Sequence, residues 1–226
     1  MDPNRLAWEE SISKLTKMAE SHKEVYTITV NGLDISIHPN VYSPKYFPES
    51  CWYAQNLESI VQGKDFLEIG VGSGIISLHA ARAGSKVFGV DINPDAVAIT
   101  RKNFDKNGLK ADIRVSDLYA ALEPGTKVDY IFWNHPWQIS SAVVKELQSE
   151  KTLDEGYKAL SRYVRDGHKY LKENGAILVG TSCYADLNFL SQIVSEHGYK
   201  TVIAAQGESR LVDGTLEVYY IMRLEQ

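Results

Sequence analysis

Two short runs carry the residue types that could do chemistry. The first reads Leu67-Glu68-Ile69-Gly70-Val71-Gly72-Ser73-Gly74-Ile75-Ile76. A strand-like apolar run leads into three glycines, and a helical pattern follows. Glycine at such a junction lets the chain turn tightly and lets a ligand approach the backbone. A dinucleotide fingerprint would place its third glycine at position 75, which is Ile75. The spacing therefore disfavours a dehydrogenase. The second run reads Tyr130-Ile131-Phe132-Trp133-Asn134-His135-Pro136-Trp137. Here an apolar strand ends in a carboxamide, an imidazole, a rigid proline and an indole. Asn134 can accept hydrogen bonds, Pro136 biases residue 135 toward an extended backbone, and Trp137 offers a flat stacking surface.

Two carboxylates lie between these runs. Asp91 closes Val87-Phe88-Gly89-Val90-Asp91, with Ile92 beside it. A carboxylate about 20 residues beyond a glycine-rich turn can hold the hydroxyls of a ribose. That placement suits NAD and S-adenosylmethionine equally. Asp117, in Val115-Ser116-Asp117-Leu118, could accept a hydrogen bond from an adenine amine. Each also has a plainer use: Asp91 could cap a helix starting at Pro94, and Asp117 could close a turn.

The elements that must position these groups follow from periodicity. Leu6, Ile12, Leu15, Met18 and Ala19 share one loose helical face over about 6–23. Tyr26, Ile28 and Val30, then Asn31-Gly32, then Leu33, Ile35 and Ile37, describe a hairpin with a type I′ turn pairing Val30 with Leu33. Pro39, Pro44 and Pro48, with Tyr42, Tyr46 and Phe47, form an extended connection. From residue 65 onward, strands and helices alternate. Strands are expected at 66–69, 87–90, 111–115, 128–133, 176–179, 200–205 and 216–224. Helices are expected at 75–83, from Pro94, over a long polar stretch 143–171, and at 187–197. The expected fold is α/β: a Rossmann-like doubly wound sheet, mostly parallel, with an antiparallel C-terminal edge strand. A helix and hairpin over residues 1–40 would precede a ligand-binding domain over 41–226.

Composition narrows the function classes. The chain has 226 residues, 44% hydrophobic and 23% charged, with a net charge of -5. It is long enough to bury a core, and it lacks an apolar run of the roughly 20 residues that span a bilayer. The net charge disfavours nucleic acid as a partner. Cys51 and Cys183 stand far apart, and His22, His38, His79, His168 and His197 have no ligand spacing, so neither a disulfide framework nor a metal is expected. A reducing, cytoplasmic location follows as an expectation. The charges over 145–169 alternate in sign, as on a solvated face.

From Val41 to Pro136 the sequence resembles class I S-adenosylmethionine-dependent methyltransferases of the Asn-Pro-Pro-Tyr type. It is most similar to the glutamine methyltransferases of peptide release factors and to related ribosomal-RNA guanine methyltransferases. Val41-Tyr42-Ser43-Pro44 and the helix around Cys51–Leu57 share in that likeness. The resemblance implies S-adenosylmethionine as cofactor. It implies that Glu68, Gly70, Gly72 and Gly74 shape the methionine and ribose pocket. Asp91 and Ile92 would serve the ribose end, and Asp117 and Leu118 the adenine. It further implies that Asn134 and the backbone carbonyl of residue 135 accept hydrogen bonds from a target nitrogen, with Pro136 fixing the backbone and Trp137 stacking on the acceptor. His135 departs from the family's proline, and Trp137 from its tyrosine.

The expected function is N-methylation of a planar amide or amine, on a protein glutamine or a small metabolite. An RNA base, O- or C-methylation using the His135 imidazole, and cofactor binding without turnover are the alternatives. Tyr42, Tyr46, Phe47 and Trp52 could roof the pockets.

Overall fold

The computed structural model describes residues 3–138, 153–211 and 214–226. Helix α1 (Pro3–Glu20) leads to the hairpin β1 (Tyr26–Val30) and β2 (Leu33–Ile37), then α2 (Glu49–Val61). The α/β body follows as β3 (Asp65–Ile69), α3 (Ile75–Arg82), β4 (Lys86–Asp91), α4 (Pro94–Lys106), β5 (Asp112–Val115) and β6 (Val128–Asn134). It ends with α5 (Lys158–Gly167), β7 (Leu171–Ser182), α6 (Leu187–Glu196), β8 (Lys200–Arg210) and β9 (Leu216–Glu225).

The seven strands of the main sheet lie in the order β5-β4-β3-β6-β7-β9-β8. Neighbours from β5 to β7 are parallel, while β9 runs antiparallel to both β7 and β8. The antiparallel C-terminal pair thus closes this side of the sheet, with β9 inside and β8 outermost. Successive strands step one way from β3 to β5 and the other way from β6. The crevice where that order reverses is where ligands bind in open α/β sheets. Register makes this concrete: Ile69 pairs with Trp133, so Gly70 and Asn134 emerge side by side.

Side-chain alternation assigns the two faces. Phe66, Phe132 and Leu178 join Leu33, Ile35, Tyr53, Leu57 and Leu78 under the hairpin, α2 and α3. Their neighbours Leu67, Ile131, Trp133, Ile177 and Val179 pack with Tyr163, Leu160 and Leu190 under α5 and α6. Both faces are covered, which is why the central strands read as nearly continuous apolar runs. The hairpin has the expected register, Val30 opposite Leu33, with φ of 52° at Asn31 and 74° at Gly32.

Two expectations are corrected. Helix α1 does not bury Leu6 or Met18, which are 44% and 53% exposed. It buries Trp8, Ile12 and Leu15. Those three recur at helical spacing and carry the largest apolar surface, so they set the buried stripe. The long helix expected over 143–171 is also shorter where it is described; residues 139–152 lie outside the described part. Within the remainder, α5 starts only at Lys158, because Gly156 and Tyr157 have φ of 62° and 46°. The Asp154 carboxylate then caps it, accepting from Ala159 N at 3.0 Å and Leu160 N at 2.9 Å. Gly167 ends it, and Leu171 already belongs to β7.

Gly89, inside β4, shows how tightly strand and loop are fitted. A Cβ there would stand 2.6 Å from Val71 Cγ1 and 2.7 Å from Ile113 Cδ1. Gly89→Ala is expected to cost about 1–3 kcal/mol through overpacking, and to displace the glycine loop through Val71. Urea unfolding checks the first effect; unchanged stability would show that the loop has slack.

Candidate functional site

The loop after β3 is built on three left-handed residues, with φ of 69° at Gly70, 53° at Gly72 and 84° at Gly74. Its amides are anchored from β4: Gly70 N and Val71 N donate to Val90 O at 2.7 and 3.1 Å. From behind, Thr100 Oγ1 donates to Gly72 O at 2.9 Å. Asn103, fully buried, donates from Nδ2 to Ser73 O at 2.9 Å and to Ser36 O of the hairpin at 2.8 Å. Gly70 and Gly74 are required for space as well as φ. A Cβ on Gly70 would meet Trp133 Nε1 at 3.1 Å, and one on Gly74 would meet Thr100 Cγ2 at 2.8 Å. Gly72 faces open space instead.

Asp91 closes the loop from the front. Its Oδ2 accepts from Gly72 N and its Oδ1 from Asn93 N, both at 2.9 Å. The cap of α4 is Asn93, whose side chain accepts from Asp95 N, with Pro94 at the first helical position. Asp91 is thereby left to the loop. Burial raises the Asp91 carboxyl above its ordinary value, against the pull of those amides. Glu68 is 2% exposed and accepts from the Ser77 hydroxyl. Burial pushes its carboxyl up to about 8.

A cavity of about 690 Å³ opens in front of this loop. It is lined by Glu68, Gly70, Gly72, Asp91, Ile92, Asp117 and Leu118 on one side and by Asn134, His135, Pro136 and Trp137 on the other. Of the cofactor and motif residues singled out from sequence, only Gly74 does not line it. That glycine stands behind, as the cap of α3 against Thr100. Asp117 is half exposed at the rim and pairs with Arg162 at 2.9 Å. Leu118 is buried with φ of 48°.

The far side is less polar. Asn134 Oδ1 is buried and accepts no hydrogen bond from any described residue. His135 is 1% exposed, its Nε2 lies 3.2 Å from Thr181 Oγ1, and its ring stands edge-on to Tyr157. Burial pulls this imidazole down to about 3. It is therefore neutral near pH 7 and a feeble base.

The same cavity holds residues that sequence reasoning did not single out. Trp8 and Ile12 arrive from α1, Glu49 and Ser50 from α2, and Gln138, Leu153, Asp154 and Ala159 from the segment around α5. Of the four aromatic residues expected to roof it, Tyr42 does line it. Phe47 stacks beneath Tyr42 at 4.1 Å, Tyr46 lies 2.7 Å from His22 Nε2, and Trp52 turns toward Tyr219 and Gly207. The position of Gln138, directly after Asn-His-Pro-Trp, was the one available local signal.

The methyltransferase small domain family matches residues 32–206. The chain belongs to this family. It is an S-adenosylmethionine-dependent methyltransferase with a Rossmann-like fold. A relative in Methanocaldococcus jannaschii, provisionally named a protein N5-glutamine methyltransferase, is 32% identical over 184 residues, covering 79% of this chain and 91% of that protein. The release factor glutamine methyltransferase of Koribacter versatilis is 32% identical over 121 residues, 51% of this chain and 41% of that one. The T. thermophilus 16S rRNA N2 G1207 methyltransferase, solved with S-adenosylmethionine and guanosine, shares the fold with a TM-score of 0.63 at 20% identity. That alignment covers 90% of this chain and 50% of the other. Among the described residues, no helix of this methyltransferase is long and apolar enough to cross a membrane.

The raised carboxyl of Glu68 has a consequence for stability. Its ordinary value is 4.5 and its folded value about 8. In that interval the folded protein keeps a proton that the unfolded chain has lost, so stability falls as pH rises and levels off above the folded value. For the cofactor-free protein, urea unfolding should show declining stability from about pH 7 to about pH 8. Glu68→Gln should make that decline shallower without abolishing it, because burial raises the Glu49 carboxyl to about 8 as well; an unchanged slope in the variant would assign it to other groups.

Proposed function

We propose that this methyltransferase transfers a methyl group to the nitrogen of a planar amide or amine, on a protein glutamine or a small molecule. The observation that carries the reading is Asn134 Oδ1. It is a buried acceptor without a donor among the described residues, beside the glycine loop and in the same cavity. Buried polar atoms normally find partners, and one left open in a cavity wall suits a ligand donor.

The residues present fit the cofactor. Gly72 leaves open space where a side chain would stand, and Asp91 and Glu68 are acceptors at the strand ends. In this reading Asp91 takes the ribose hydroxyls, with Ile92 beside it. Glu68, Gly70 and Gly72 shape the methionine end, with Gly74 fixing the loop behind them. Asp117 and Leu118 serve the adenine. When bound, S-adenosylmethionine supplies an electrophilic methyl group.

The remaining work belongs to the chain. An amide or aryl amine nitrogen is a weak nucleophile because its lone pair is delocalised. Asn134 Oδ1 and the His135 carbonyl, each accepting one N–H, orient that lone pair out of the plane toward the methyl group. Orientation of this kind supplies much of the acceleration in a displacement. The same acceptors stabilise positive charge as it develops on nitrogen, before a proton leaves it. Pro136 keeps residue 135 extended, and Trp137 stacks on the acceptor. The neutral, deeply buried His135 ring supports a positioning use. It speaks against O- or C-methylation that would need this imidazole as base.

Asn134→Ala should lower kcat by about 100-fold or more while leaving S-adenosylhomocysteine affinity nearly unchanged. Asp91→Ala should weaken that affinity by about tenfold or more, by loss of a charge-assisted acceptor. Calorimetry and transfer of a labelled methyl group measure both. Normal turnover by the Asn134 variant would remove the proposed acceptor role.

A further inference from the structure

The wall of the cavity beyond Asn134 has a distinct chemistry. Trp8 is fixed there by donating Nε1 to Glu217 Oε1 at 2.5 Å and by stacking on Tyr184 at 4.7 Å. Its ring centre lies 6.4 Å from that of Trp137. Tyr42 donates its hydroxyl to Glu49 Oε1 at 2.6 Å. Glu49 is 2% exposed, lines the cavity, and forms no ion pair with a described lysine, arginine or histidine. Burial holds its carboxyl up to about 8, and the charge of Glu217 adds to the effect.

Two further groups in this wall await partners. Gln138 is 2% exposed, and neither Oε1 nor Nε2 has a hydrogen bond with any described residue. Trp137 Nε1 likewise has no partner among the described residues. Such groups are costly to bury unless a ligand completes them. The ionisable side chains around the cavity other than the neutral His135 are acidic: Glu49, Glu68, Asp91, Asp117 and Asp154. No described lysine or arginine lines it. Asp154 already spends both oxygens on capping α5, and Glu68 accepts from Ser77. At the acceptor end Glu49 accepts from Tyr42 through Oε1, which leaves lone pairs of the carboxyl for a ligand. A phosphate-bearing acceptor would meet no counter-charge among the described lining residues. A cationic group would draw the Glu49 carboxyl into its ionised form and would meet aromatic faces and an open amide, the surroundings that favour ammonium and guanidinium ions.

Building on the methyl-transfer reading, we propose that the acceptor is a small organic cation. Its planar reactive nitrogen sits at Asn134, and a remote ammonium or guanidinium group rests on Glu49 among Trp8, Tyr42 and Trp137, with Gln138 completing its hydrogen bonds.

The test is a charge series of three aryl amines of similar size: 4-(aminomethyl)aniline as cation, 4-aminobenzyl alcohol as neutral and 4-aminobenzoate as anion. Each is titrated calorimetrically into the full chain with S-adenosylhomocysteine bound. The cation should bind at least about tenfold more tightly than the neutral amine, and the anion most weakly. Glu49→Gln should reduce cation affinity by about tenfold while sparing the neutral compound. Equal affinities, a preference for the anion, no binding of any of the three, or a cation preference that survives in a folded Glu49→Gln would each overturn the proposal. The wild-type series decides the charge preference even if the variant does not fold. A failure of S-adenosylhomocysteine to bind, measured first and separately, would strike the parent reading instead.

Discussion

The site depends on holding a glycine-rich loop still. Three glycines between β3 and α3 have left-handed backbone conformations, and so free a segment keeps one shape only where its surroundings dictate it. They do so from three directions. Val90 takes the amides of Gly70 and Val71, Asp91 takes the amide of Gly72, and α4 reaches up with Thr100 and Asn103 to bind the carbonyls of Gly72 and Ser73. Asn103 also bonds Ser36 of the hairpin through both its amide group and its carbonyl oxygen. The hairpin is thus tied to the loop through a single buried carboxamide. A loop held in this way needs little reorganisation to receive a ligand, which is the physical content of preorganisation.

Sheet topology then brings the two chemical ends together. The parallel register of Ile69 with Trp133 places the glycine loop beside Asn134, and Gly70 lacks the Cβ that would strike the Trp133 indole. The opposite wall comes from distant parts of the chain: Trp8 from α1, Glu49 from α2, Trp137 and Gln138 after β6. Glu217 on β9 links them by accepting from both Trp8 and Tyr219. Carboxyls buried among aromatic rings stabilise the fold little, because removing them from water costs as much as their hydrogen bonds return.

The parts of this site that were readable in advance are those whose geometry is local. The glycine spacing, the carboxylate one strand later and the Asn-His-Pro-Trp run each sit at a strand end, and strand ends are marked by composition. The hairpin was readable for the same reason, because Asn31-Gly32 dictates both turn and register. What could not be read is what long-range packing decides. Nothing near Trp8 says that it will stack on Tyr184, and nothing near Glu49 says that Tyr42 will cover it. The long helix expected over 143–171 failed locally. Helix-compatible composition concealed a left-handed Tyr157, a conformation that the Asp154 cap and the contacts around its buried ring maintain.

The histidine at the second position of the motif illustrates how a family pattern can change while its geometry survives. The positioning argument asks only for a backbone carbonyl in an extended conformation, and Pro136 imposes that on whatever residue precedes it. A histidine there must still be accommodated. It is packed edge-on against Tyr157, given one polar neighbour in Thr181, and held neutral by burial. A proline would have filled less of this space and offered no link to β7. The substitution therefore couples the motif to Tyr157, whose hydroxyl donates to Trp137 O at 2.8 Å. One tyrosine thus supports both the residue before Pro136 and the residue after it. This arrangement braces the turn after β6 from the α5 side, where a shorter side chain would have left it to the backbone alone.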